Sequence, residues 1–266
     1  MNIEDQGIVI SAIKYADKGF IVKIFSKNHG IVKGLLSGQK KNSSICQAGN
    51  HITFIWSARL EEHLGRLKVE MEKPYPLLHY LDYSKICAIG SITSLIDKIL
   101  PERHEYSQLY DDIIHFLKNL GDDEWLKNYV ITELNILTKC GFGIDFEHCA
   151  VSLKKEDTYF ISPKTGACVS YDAGKPYQDK LFTIPLFLKD NHLKDNHLKD
   201  NHLKDSHPKD DQANCDNSEL LDGLKITRYF LAKYFFSDNN GRLPQSCENF
   251  FEEIVRINER RDSKRA

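Results

Sequence analysis

The chain has 266 residues, 41% of them apolar and 11% aromatic, enough for two cored domains and too apolar for a disordered chain. Its net charge is −2, and no apolar run approaches the ~18 residues of a membrane span; the longest are LFTIPLFL and YFLAKYFF. The opening MNIEDQGIVIS carries acids where a signal peptide carries bases, and the seven cysteines are odd in number and scattered, so reduced thiols in a cytoplasmic protein are expected rather than a disulfide framework.

Residues 1–80 hold eleven Lys/Arg against seven Asp/Glu, a positive front on an otherwise acidic chain, which favours contact with polyanions. Within them GIVISAI (7–13), GFIVKIFS (19–26), GIVKGLLSG (30–38), HITFIWSAR (51–59) and GRLKVEME (65–72) are rich in β-branched and aromatic residues and are separated by Gly-bearing turns or polar links. Five short strands in about seventy residues predict a small barrel of the OB or SH3-like kind. In the fourth, Ile52, Phe54, Trp56 and Ala58 alternate with Thr53, Ile55, Ser57 and Arg59, which assigns Trp56 to the core rather than to a base-stacking face.

From residue 82 the apolar period becomes helical. Ile86, Ile89, Ile92, Leu95, Ile96 and Ile99 share a stripe that ends before Pro101. EYSQLYDDIIHFLKNLG repeats the pattern and stops at Gly121, and DDEWLKNYVITELNILTKCG opens on acids and closes on Lys139 and Gly141. DTYFISPKTGACVSYDAG reads as a hairpin turning at Pro163 and Gly166. Two more helices are expected near 219–236, capped by Ser218, and 245–258. The fold class is therefore α+β: an OB-type barrel over 1–80, a helical domain over 81–258 with a small inserted hairpin, and a basic tail over 259–266. Residues 188–211 repeat the pentapeptide NHLKD; a period of five suits neither helix nor strand, so disorder is expected, and His192, His197, His202 and His207 do not share a face.

Signatures of catalysis are missing from the chain: it has no Walker loop, no G-x-S-x-G elbow and no dinucleotide fingerprint. A non-enzymatic protein without a cofactor is expected. Cys149 and Cys168 bracket the hairpin, as the first thiolates of two zinc knuckles would. A closed tetrahedral site needs two more ligands, and the second knuckle positions hold Ser152 and Tyr171. TKCGFGIDFEHCAVS (138–152) is thus expected to pack without metal.

The stretches GIVISAI, IFSKNHGIVKGLLSG, GNHITFIWSARLEEHLG, LTKCGFGIDFEHCAVS, YFISPKTGACVSYDAGKPY and GRLP (241–244) together resemble the RecO family of bacterial recombination mediators, in its alphaproteobacterial form. The resemblance covers nearly the whole chain except the repeat. It implies an OB-fold that binds single- and double-stranded DNA, followed by a helical domain that in some members carries a four-cysteine zinc site, of which Cys149 and Cys168 would be the remnant. It also implies annealing of complementary strands and, with RecR, the loading of RecA onto DNA coated by the single-strand-binding protein SSB. Two departures stand out: Thr132 replaces an aromatic residue before Glu133, and Cys247 replaces an arginine after LPQS.

DNA contacts are assigned to Lys14, Lys23, Lys33, Lys40, Lys41, Arg59 and Arg66, which lie on the barrel or its loops. The acidic, Phe-ended SSB tail, which the resemblance places on the helical domain, is assigned to Leu126, Lys127, Tyr129 and Val130. Two other classes stay open at this point: an OB-fold RNA-binding or translation-associated module, and a scaffold whose barrel binds only protein.

Overall fold

The computed structural model describes residues 1–38, 43–60, 63–146, 148–153, 158–189 and 217–265. The Lys40–Lys41 pair and the NHLKD repeat lie outside the described residues. The chain divides into two compact units, one of Met1–Thr132 with Leu243–Arg256, the other of Glu133–Arg242 with Ile257–Ala266.

Strands β1 (Asn2–Tyr15), β2 (Gly19–Ser26), β3 (Gly30–Ser37), β4 (His51–Ser57) and β5 (Gly65–Lys73) close into a barrel in the order β1-β2-β3-β5-β4. Every seam is antiparallel except β3–β5, which is parallel. This is the expected OB-type barrel at the N-terminus. The first strand is longer than its apolar pattern suggested, because it serves two neighbours: residues 2–8 pair with β4 and residues 7–15 with β2. An irregularity between Val9 and Ser11 lets it bend from one to the other.

The barrel interior is filled by Val9, Val22, Ile24, Val32, Leu36, Ile52, Phe54, Trp56 and Leu67. Period-2 alternation puts these side chains inward on every strand. Trp56 is fully buried, and its indole N–H donates to the Lys33 carbonyl at 3.0 Å. That position requires Gly65, since a Cβ there would stand 2.0 Å from the indole nitrogen.

Three helices of the same unit pack beside the barrel or each other: α2 (Tyr83–Ile99), α3 (Ser107–Lys118) and the first part of α4 (Trp125–Lys139); a four-residue α1 (Tyr75–Leu78) precedes them. Asp82 caps α2, accepting from the Lys85 N–H and from the Ser84 hydroxyl. Tyr110 of α3 lies 5.8 Å from the Phe25 ring and its hydroxyl is 2.9 Å from His51 Nε2. Gly30, at φ +63°, lets the chain run against the His104 carbonyl, which a Cβ would meet at 2.0 Å. Through these contacts the helices that follow the barrel belong to the same compact unit as the barrel.

The second unit contains the expected hairpin, β6 (Thr158–Ile161) and β7 (Cys168–Ser170), turning through Gly166 at φ +74° and followed by the four-residue α5 (Tyr171–Gly174). A third strand, β8 (Phe182–Thr183), pairs with β6 and was not legible in the sequence because two residues carry no period. Helix α6 (Asn217–Phe235) begins before Ser218, so that serine sits inside the first turn rather than at the cap. Helix α7 (Gln245–Arg265) runs through the segment expected to be a basic tail.

Candidate nucleic-acid interface

The registers bring the β1–β2 turn, the end of β3 and the start of β5 to one rim of the barrel. Lys14 pairs with Phe20, Phe20 with Leu36, and Leu36 with Leu67, the neighbour of Arg66. The β4–β5 loop returns to the same rim, where Arg59, His63 and Arg66 line a cleft of about 350 Å³. Lys14, Lys33, Arg59 and Arg66 are all exposed. A rim with guanidinium forks in a cleft and ammonium groups spread beside it can hold successive phosphates while leaving base identity unread.

Lys23 belongs to a different arrangement. Directly opposite Lys33 in the β2–β3 register, it would repel its neighbour, but Asp97 of α2 holds its ammonium at 2.7 Å. The pair is half-buried, with side-chain exposures of 28% and 16%, so Lys23 anchors the helix to the barrel. Lys18, exposed in the β1–β2 turn, and His63 join the rim although sequence reasoning did not single them out; their place in the Asp-Lys-Gly turn and the β4–β5 link was the available signal. On the β1–β4–β5 face, a smaller cleft is lined by Glu4 and Glu70 with Lys68, which disfavours phosphate there.

The four residues assigned to an SSB tail do not form one surface. Tyr129 and Val130 are buried. The Tyr129 hydroxyl bonds Ser91 Oγ at 2.7 Å, and its ring packs 4.2 Å from Phe250 and 5.8 Å from Phe116. Leu126 and Lys127 are half-buried, and Lys127 pairs with Glu124 at 3.2 Å. The correction has a simple cause: positions three and four apart on α4 share the stripe that faces the helix core. Cys247 is buried as well, its thiol 3.8 Å from the Ser91 carbonyl, so this position offers no anion contact.

Cys149 and Cys168 are both buried and share the hairpin. Cys149 Sγ accepts the Ser170 N–H at 3.3 Å. Burial alone would raise its pKa, but hydrogen bonds from the Ser152 and Ser170 N–H groups, the Ser170 hydroxyl and the Val151 N–H outweigh it and bring the thiol down to about 6. Burial, with Asp145 nearby, pushes Cys168 up to about 12. His148 Nδ1 is turned to Asp145 Oδ2 at 2.7 Å. Among the described residues no three His, Cys, Asp or Glu side chains are grouped to hold a metal.

Comparison with known proteins matches residues 1–75 to the family model "Recombination protein O N terminal" and residues 80–208 to "Recombination protein O C terminal". The chain is 36% identical over 256 residues to a DNA repair protein RecO of Rickettsia canadensis, covering 96% of this chain and 97% of that one. It is 34% identical over 258 residues to the DNA repair protein RecO of Rickettsia typhi, covering 97% and 100% respectively. None of the described helices is long and apolar enough to cross a membrane.

Proposed function

Because the chain belongs to the RecO family of DNA repair proteins, we propose that it works in the cytoplasm as a recombination mediator that binds rather than transforms its substrate, without a cofactor. It holds single- and double-stranded DNA by the phosphates, anneals complementary strands, and with RecR helps RecA replace SSB. The observation that supports this best is the barrel rim, where Arg59, His63 and Arg66 share one cleft. Trp56, the one tryptophan of the barrel, is buried and offers no stacking face. That weighs against the RNA-binding alternative. In the helical part, Leu126 and Lys127 are the two of the four residues assigned to an SSB tail that reach the surface.

The test is annealing of complementary oligonucleotides coated with SSB, followed as loss of unpaired strand. Acceleration by the full chain, weakening steeply with salt, is the expected result. A protein that neither binds single strands at low salt nor speeds annealing would overturn the proposal.

A further inference from the structure

The second unit carries an open cleft of about 600 Å³ that no part of the barrel contributes to. Tyr177 and Tyr229 line it together with Lys164, Lys180 and Lys233, and among the described residues that line it none is acidic. Both rings are displayed rather than packed away, at 61% and 40% exposure. Tyr229 is nevertheless held in orientation, edge-on to Phe182 and Phe230 at 5.3 Å from each. Lys233 donates to the Pro163 carbonyl at 2.8 Å and the Lys164 carbonyl at 2.6 Å, which ties the hairpin turn to α6 and keeps one wall of the cleft in place.

Exposed aromatic rings set among cations are the two halves of a single-strand site. A ring gives any base a stacking face, and ammonium groups nearby take the flanking phosphates. A duplex cannot use such a cleft, because its bases are already stacked on each other. We propose that this cleft binds a short stretch of single-stranded nucleic acid, one base on Tyr177 or Tyr229 and adjacent phosphates at Lys164 and Lys180, as a site separate from the barrel rim. The proposal rests on the reading of the chain as a DNA-binding protein and extends it. Annealing needs two strands, and a chain with two single-strand sites can hold one of each.

The experiment is photo-cross-linking of the full chain to an oligothymidylate carrying 5-iodouracil, with adducts mapped by mass spectrometry. Adducts are expected at Tyr177 or Tyr229, and they should persist when Arg59 and Arg66 are both replaced by Ala. In that background Tyr177→Ala should weaken oligothymidylate binding about fivefold or more, with little change for an abasic strand of equal length. Lys164→Ala with Lys180→Ala should flatten the salt dependence by about 1.4 in log–log slope. Adducts confined to the barrel, with Tyr177→Ala binding as before, would overturn the second site and leave the DNA-binding reading standing. Failure to bind any single strand at low salt would overturn both. An acidic peptide that shields both tyrosines from chemical iodination, where the oligonucleotide does not, would overturn the assignment in favour of a protein partner.

Discussion

Gly65→Ala tests the packing that holds Trp56 inside the barrel. The added methyl would meet the Trp56 indole at 2.0 Å from Nε1, 2.2 Å from Cε2 and 2.7 Å from Cδ1, all inside contact distance. The ring has no free space to enter, since it is fully buried, and shifting it breaks the 3.0 Å hydrogen bond to the Lys33 carbonyl. Overpacking of this kind costs about 1–3 kcal/mol. A buried indole N–H left without its acceptor adds about 1 kcal/mol. Together these give about 2–4 kcal/mol, or roughly 5–15 °C in Tm. Thermal unfolding followed by tryptophan fluorescence and circular dichroism measures it. Trp56→Phe should relieve the clash, so the two changes together should destabilise by at least ~1 kcal/mol less than their sum. A Gly65→Ala protein that melts as the parent does, or strict additivity in that cycle, would refute the reasoning.

Replacing Arg59 and Arg66 together by Ala should flatten the log–log salt dependence of single-strand binding by about 1.4, whereas Lys23→Ala should leave that slope unchanged and cost about 1 kcal/mol in urea unfolding through loss of the Asp97 pair. Cys149 should titrate with a midpoint of about 6, seen as thiolate absorbance at 240 nm that disappears in Cys149→Ser. Its thiol is depressed in the folded state, so its stabilising contribution is complete above the ordinary thiol pKa and is lost as pH falls from there through about 6; a parent and Cys149→Ser whose stabilities run parallel over that window would contradict this. Protein purified without an affinity tag should hold well under one zinc per chain and melt unchanged in chelator, since a structural zinc contributes on the order of 10 kcal/mol to folding; stoichiometric zinc that is lost in Cys168→Ala would show the opposite.

Much of the fold follows from periods that are local to the chain. Alternation alone sorted Ile52, Phe54 and Trp56 inward, and the five strands it marked out are the five that close the barrel. The 3.6-residue stripe likewise located α2, α3 and α4, and Pro163 and Gly166 located the hairpin turn. Turn chemistry and side-chain period need only neighbours a few residues away, so a linear reading captures them.

Tertiary structure decided what those elements present to a partner. Lys23 and Lys33 look alike in sequence, yet only the first meets Asp97, which lies 74 positions further along the chain. Tyr129 and Val130 had the composition of an apolar groove, but Ser91, Phe116 and Phe250 close over Tyr129 from three separate segments. The cluster of Arg59, His63 and Arg66, and the tyrosines of the second unit, became visible only when loops were brought side by side. Accessibility, pairing and convergence of charge depend on distances between residues remote in sequence, and folding, not local propensity, sets those distances.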